Sequence, residues 1–284
     1  MEKVLTVLAT GPLALVQDRG RPGLGAMGVG RSGAADRRSH DLANRLVAND
    51  ASAATIEVVL GGLAVRAEVD LTVAVTGAPA PVDVDQTPVG HASVLRLRAG
   101  SVLSMGAPST GLRSYLAVRG GITVEQVLGS RATDTLSGLG PPPLEPGMVL
   151  PVGPAPEAVP TLDQAPVVLP EPGLLVLRAR GGPRADWICD DLFGRAWTVS
   201  QHSDRIGARL DGEPLALVPG RGELPSEGVV RGAVQVPPSG QPVLFLADHP
   251  VTGGYPVVAI VIDADVDRAA QARPGQPIRF KEAH

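Results

Sequence analysis

Val94-Leu95-Arg96-Leu97-Arg98 sets two leucines on one side of an extended chain and two arginines on the other. That period of two marks a half-buried β-strand, and it recurs outward in both directions. Residues 63–75 alternate in the same way before Gly77-Ala78-Pro79 closes the run, and residues 113–118 make another strand, stopped by Gly120-Gly121. The start, Met1 to Val7, also reads as a strand and lacks the long apolar centre of a signal peptide. Further on, Val243-Leu244-Phe245-Leu246 and residues 257–262 are unbroken apolar runs, as expected of strands buried on both faces. Helical signals are few. The strongest covers residues 34–47, with Ser32 as cap and Leu42, Ala43, Leu46 and Val47 as its apolar stripe. Thr123-Val124-Glu125-Gln126 carries a capping-box pattern that predicts one short helix before Gly129, and residues 183–192 and 265–272 predict two more. The chain is therefore expected to be mostly β, with a few short peripheral helices.

Composition supports that reading. Aromatics are 2% of the 284 residues, so a core must be built from Val, Leu, Ile and Ala. There are 35 glycines and 28 prolines, which suit turns rather than the interiors of elements. With 44% hydrophobic residues, the chain has enough apolar surface to fold, so many short strands joined by turns fit better than disorder. Seven prolines fall at 151, 154, 156, 160, 166, 170 and 172, a density that precludes sheet ladders and makes a stiff extended stretch. We expect a first domain over 1–150, a proline-rich linker over 151–172 and a second domain over 173–284.

Several function classes are excluded. The formal charge is −4 and no basic run with interleaved aromatics occurs, which argues against a nucleic-acid partner. No apolar segment approaches the roughly 20 residues that span a bilayer, so no membrane partner is expected. The single cysteine, Cys189, fits a reducing, cytoplasmic setting and, following Trp187 and Ile188, reads as a buried structural thiol. The histidines at 40, 91, 202, 249 and 284 lack metal-ligand spacing, so no metal is predicted. There is no Gly-x-x-x-x-Gly-Lys-Ser/Thr phosphate loop, no Gly/Ser-rich amidase signature and no Ala-Met-Lys-Met segment that would carry biotin.

Three polar turns hold the chemistry. In Gln17-Asp18-Arg19-Gly20-Arg21-Pro22-Gly23, glycines let the backbone turn sharply while Arg19 and Arg21 are displayed together. Such a pair forms a fork for carboxylate or phosphate; the alternative is a loop tied down by Asp18–Arg salt bridges. Ser203-Asp204-Arg205-Ile206-Gly207-Ala208-Arg209 poses the same choice in the second half and faintly echoes the first. In Asp248-His249-Pro250-Val251-Thr252-Gly253-Gly254-Tyr255-Pro256, two hydroxyls flank a Gly-Gly turn whose backbone N–H groups suit an anion or an amide; the alternative is a structural hairpin with an anchored tyrosine.

Taken in order, these pieces resemble one family. They are residues 17–21, Ser32-Gly33-Ala34-Ala35-Asp36, Ala43-Asn44-Arg45-Leu46-Val47-Ala48-Asn49, Glu57 with Leu60-Gly61-Gly62, residues 111–121, residues 128–134, residues 203–210, Gly232-Ala233-Val234-Gln235-Val236-Pro237, and residues 252–256. The resemblance is to the second-subunit family of allophanate hydrolase, which includes the Kip-antagonist proteins and the C-type component of 5-oxoprolinase. That family is related to the carboxyltransferase region of urea carboxylase. Two departures are Gly138-Leu139-Gly140-Pro141-Pro142-Pro143, where the family usually has a Gly-Gly-Arg-rich turn, and Pro250-Val251, where it more often has Gln-Thr. The resemblance implies two cyclophilin-like β-barrel domains and a companion subunit 1, giving a heterodimer or heterotetramer, with a LamB/YcsF-type third subunit. It implies an amide-processing enzyme active in complex, with ATP used by the complex to open 5-oxoproline to glutamate. The alternatives are an allophanate hydrolase or urea carboxylase-type carboxyltransferase using biotin on a partner, and a regulatory protein that antagonises a kinase inhibitor. The catalytic candidates are Asp18, Arg19, Arg21, Asp36, Asp204, Arg205 and Arg209. The substrate-binding candidates are Asn44, Ser203, Gln235, Thr252, Gly253, Gly254 and Tyr255.

Overall fold

A computed structural model describes residues 4–283, so Met1–Lys3 of the predicted first strand and His284 lie outside the described residues. The chain divides into two compact units. The first comprises residues up to Arg21, Ser32–Asp134 and Gly138–Pro170; the second comprises Pro22–Arg31, Thr135–Ser137 and everything from Glu171 onward.

The first unit is built from β1 (Val4–Thr10), β2 (Leu13–Gln17), α1 (Arg37–Leu46), β3 (Thr55–Val59), β4 (Leu63–Ala67), β5 (Leu71–Gly77), β6 (Val82–Val84), β7 (Thr87–Val89), β8 (Val94–Leu97), β9 (Val102–Met105), β10 (Arg113–Val118) and β11 (Val149–Pro151). These form a six-stranded sheet in the order β11-β1-β4-β9-β6-β7 and a five-stranded sheet in the order β2-β3-β10-β5-β8. Leu5, Val7, Val65 and Leu103 of the first sheet meet Val16, Ile56, Val73 and Leu116 of the second in one core of aliphatic side chains. The alternating residues 63–75 turn out to be two strands, one in each sheet, joined by the bend at Glu68-Val69-Asp70. Within β8, Leu97 is buried and Arg96 exposed, as the alternation requires. Helix α1 packs Ala43, Leu46 and Val47 against Ala74, Tyr115 and Ala117 on the outer face of the five-stranded sheet.

The proline-rich stretch runs along this unit. The Val94 N–H donates to the Asp163 carbonyl and the Ala165 N–H to that of Ala92, while Arg119 donates from Nη2 to the carbonyls of Pro156 (2.7 Å) and Ala158 (2.6 Å). Residues 123–126 are not helical. Ile122 bridges Val152 and the Thr123 N–H donates to Pro151, so strand-like pairing takes the backbone groups that a helix would have used.

The second unit contains β12 (Leu175–Gly181), β13 (Ala196–Val199), β14 (Gly207–Asp211), β15 (Glu227–Gly228), β16 (Ala233–Gln235), β17 (Val243–Phe245), β18 (Thr252–Gly253), β19 (Val257–Val261), α2 (Asp263–Ala269) and β20 (Pro277–Glu282). Seven of these strands close into a barrel in the order β12-β19-β16-β17-β14-β13-β20, sealed by the parallel pair β12 and β20. Trp197, Leu177, Leu210, Val234, Leu244 and Phe280 fill it. The β15–β18 pair forms a separate two-stranded ribbon. Of the two short helices predicted here, residues 183–192 yield only a 3-10 turn at Ala185–Trp187, whereas α2 begins two residues before the expected 265. Cys189 is exposed, not buried as its apolar neighbours suggested; its N–H bonds to Ala216 in a surface loop that carries its side chain outward.

Candidate functional site

On the first unit, three loops are sewn together beyond the end of β2. The Asp18 carboxylate, nearly buried, accepts from the Gly20 N–H (2.7 Å), the Ser130 hydroxyl (2.6 Å) and the Arg131 N–H (2.6 Å). Its own carbonyl receives the Ala34 N–H at 2.9 Å. Gln17, fully buried, donates from Nε2 to the Thr133 carbonyl at 2.8 Å. Gly33 sits where loops 18–20 and 32–36 touch: its φ is 93°, and a Cβ there would lie 2.7 Å from the Gly20 nitrogen and 2.9 Å from the Asp18 oxygen. No side chain fits, so glycine is what lets the two loops stack.

The two arginines of the first turn have separate fates. Arg19 is part exposed and reaches Asp41 on α1 at 2.6 Å. Arg21 is 2% exposed and donates from Nη2 to the Ala132 carbonyl (2.6 Å) and from Nε to that of Val127 (3.4 Å), so it braces the loop. Asp36, the true N-cap of α1, accepts from the Ser39 N–H (3.0 Å) and hydroxyl (2.6 Å). Its N–H donates to the Tyr115 hydroxyl (2.8 Å), which donates to Glu57 (2.7 Å); Glu57 also receives the Ala35 N–H (2.9 Å). Complete burial, with the Glu57 charge beside it, raises the Tyr115 pKa well above its ordinary 10.0. Asn44 is wholly inside: it donates to the Ala53 carbonyl and accepts from Asn49, pinning α1 rather than facing a ligand.

On the second unit, Arg205 and Asp248 form a buried two-pronged ion pair, Nε to Oδ2 and Nη2 to Oδ1, both at 2.9 Å. Asp248 also takes the Thr135 N–H (2.9 Å) and hydroxyl (2.8 Å). Asp204 closes its own turn by accepting from the N–H groups of Ile206 and Gly207, and the Ser203 hydroxyl accepts the Arg209 N–H at 3.1 Å. Arg209 lies on the outward-facing side of β14 and is exposed. Gln235 lies against the third turn: it donates to the Tyr255 carbonyl at 2.9 Å, and its Nε2 would stand 2.6 Å from a Cβ on Gly253. Thr252, Gly254 and Tyr255 are exposed.

The predicted residues thus sort into two groups. Asp18, Arg21, Asp36, Asn44, Ser203, Asp204, Arg205, Gln235 and Gly253 hold turns or pair within them; Arg19, Arg209, Thr252, Gly254 and Tyr255 face outward. None of them lines the 560 Å³ cavity bounded by Pro79, His91 and residues 164–167 and 169 of the first unit. Sequence reasoning placed Asp248 at the head of the third turn but gave it no role, although a carboxylate directly after the buried run 243–247 had to find a partner there. It also passed over Asp41, four residues after Arg37 and unremarkable in sequence, and assigned no role to Glu57. Among the described residues, no group of three or more His, Cys, Asp or Glu is placed to hold a metal ion, and no helix is long and apolar enough to cross a membrane.

These pieces define a mostly β protein of two units, each displaying glycine-bearing polar turns braced by buried carboxylates. The chain belongs to the family of the carboxyltransferase domain, subdomain A and B, which matches residues 27–282. It is 38% identical over 281 residues to the C-type component of 5-oxoprolinase from Escherichia coli (strain K12), covering 98% of this chain and 90% of that one. The corresponding 5-oxoprolinase component from Haemophilus influenzae is 34% identical over 288 residues, covering 98% and 91%. The crystal structure of the Kluyveromyces lactis urea amidolyase matches with a TM-score of 0.94 at 28% sequence identity, covering 100% of this chain and 19% of that one. This chain therefore spans about a fifth of that solved protein.

Proposed function

We propose that the chain is one subunit of an ATP-dependent lactam hydrolase that converts 5-oxoproline to glutamate. The observation that carries this reading is the 38% identity with a 5-oxoprolinase component along nearly the full length of both chains. An unstrained lactam resists hydrolysis, and the reaction proceeds as 5-oxoproline, ATP and two waters giving glutamate, ADP and phosphate. The chain's own task in this reading is to bind and orient. Arg209, exposed on β14 of the second unit, supplies a charge for the substrate carboxylate. The Thr252–Tyr255 turn, its backbone held by Gln235, offers hydroxyls and amide groups to the lactam.

Among the described residues, neither α-helix offers its N-terminus to a phosphate. The N-terminus of α1, which would otherwise attract phosphate, is filled by the Asp36 carboxylate, and α2 opens with Asp263 and Asp265. We therefore assign ATP to a companion subunit, with a LamB/YcsF-type chain as the third member, in the cytoplasm where ATP is supplied. Glutamate formation by the reconstituted complex tests the proposal. Product is expected only when this chain and its companions are all present, and the reading fails if the full set forms none.

The close fit to a urea amidolyase segment supports a second reading, in which biotin on a partner delivers a carboxyl group to urea. Tyr255 and Val230, both about half exposed near the Thr252–Gly254 backbone, offer the apolar contact and amide groups that a ureido ring takes up. Urea-dependent ATP turnover with a biotinylated partner, and none with 5-oxoproline, would select it.

A further inference from the structure

Residues 219–226 of the second unit belong to no strand or helix and are exposed except for Leu224. Gly220 (φ 79°) and Gly222 (φ 72°) stand in left-handed backbone with open space around them, so they are free to turn. The segment is fastened at both ends to the same small element, the 3-10 turn Ala185–Trp187 and the residue before it. At one end Arg221 donates to Asp186 at 2.6 Å and lies 5.5 Å from the centre of the Trp187 ring. At the other, Glu227 accepts from both Nε and Nη2 of Arg184, and Glu227–Gly228 pairs with Thr252–Gly253 through the β15–β18 ribbon. Between the fastenings the strap touches the third polar turn at one point, where the Leu224 carbonyl would lie 3.6 Å from a Cβ on Gly254.

Both ion pairs are at the surface, with side-chain exposures of 36% and 32% for Arg184 and Glu227 and 36% and 63% for Arg221 and Asp186. Such pairs are individually weak and soften with salt. A glycine-hinged strap held by two of them and a two-residue ribbon belongs to the low-stability end of a fold, where lids are found. We propose that residues 219–226 are a gate beside the Thr252–Tyr255 turn, latched by Arg184–Glu227 and Arg221–Asp186 so that the turn stays exposed. Arg184 and Glu227 are its positioning residues, because their pairing aligns the ribbon that carries Thr252 and Gly253. The gate's effect on catalysis rests on the reading that this turn binds substrate; its mechanical behaviour does not.

Hydrogen exchange on the full-length chain, alone and with its companion subunits, tests the gate directly. Arg184→Glu is expected to speed exchange at 219–228 and 252–255 by about fivefold, leaving the barrel strands 175–181 and 257–261 unchanged. The swap Arg184→Glu with Glu227→Arg restores protection, and 0.5 M NaCl moves the native chain toward the single variant. In the active complex the single variant raises KM for 5-oxoproline and the swap lowers it again. Unchanged exchange in Arg184→Glu, or a swap that fails to restore it, overturns the gate. Exchange that responds as described in a complex that never turns over 5-oxoproline leaves the gate standing and removes the substrate assignment instead.

Discussion

Arg205 shows how far one buried partner can redirect a side chain. Its guanidinium is 3% exposed and locked to Asp248, 43 residues away, so its charge is spent inside the second unit. Breaking such a pair strands a charge in a medium that solvates it poorly. Asp248→Ala should therefore lower unfolding free energy by about 3–5 kcal/mol, measurable by urea titration. The apolar pair Arg205→Met with Asp248→Leu should recover much of the loss, since it removes both charges together. His40 makes a different demand. It is fully buried against Thr55 and the Ala51 carbonyl, and burial lowers its pKa from the ordinary 6.5, although the Ala51 bond, Asp41 and Asp18 push back. The unfolded chain takes up this proton near pH 6.5 and the folded chain only below that. Stability is thus full above pH 6.5 and falls as the pH drops through it toward the folded value. Denaturation midpoints at pH 7.5 and 5.5 should differ in that direction. His40→Gln should reduce the slope, leaving a remainder of the same sign from His91, whose pKa burial also lowers. Neither partnership could be read from spacing alone: an isolated arginine motif and an isolated histidine look the same whether they serve a ligand or a core.

At the scale of elements, the strands were legible because alternation and apolar runs report burial directly. The helix ends were not. Ser32 looked like the cap of α1, but it is buried with φ 53° in the loop that stacks on residues 18–20, and the cap falls four residues later at Asp36. What moved the boundary is the Glu57–Tyr115 pair, whose hydrogen bonds hold the N–H groups of Ala35 and Asp36 extended. Long-range pairing of this kind leaves no local trace. Asp36→Ala should destabilise the protein by about 1 kcal/mol, while Asp36→Ser, which keeps a capping oxygen, should lose little. If the Ser variant, in the proposed complex, retains 5-oxoproline turnover, Asp36 is a cap and not a base. Gly33→Ala is expected to cost more than the cap, because it forces a Cβ against three backbone atoms of residues 18–20 in addition to a left-handed φ. Thermal melting ranks the two.

For the molecule as a whole, low aromatic content with abundant glycine and proline already pointed to a β fold cored by aliphatics, and both cores are built that way. Composition says nothing, however, about which stretches of chain complete which core. The second unit is not simply the C-terminal part of the sequence, since Pro22–Arg31 and Thr135–Ser137 belong to it. Thr135 supplies two of the hydrogen bonds that hold the Asp248 carboxylate, and Gly25 lies 3.9 Å (as a built Cβ) from Val251, beside the third polar turn. A fragment beginning at Glu171 has the barrel strands and their apolar filling, yet it leaves Asp248 short of two donors next to the buried Arg205. Hydrogen bonds to a charged group contribute about 1.5–3 kcal/mol each, so losing two removes a large part of what a domain of this size has in reserve. Residues 171–284 expressed alone should therefore melt earlier and expose more apolar surface than the same residues in the full chain, and co-expression with residues 1–170 should restore them. Equal stability of the lone fragment would show that the two borrowed segments are passengers, and that the barrel closes without them.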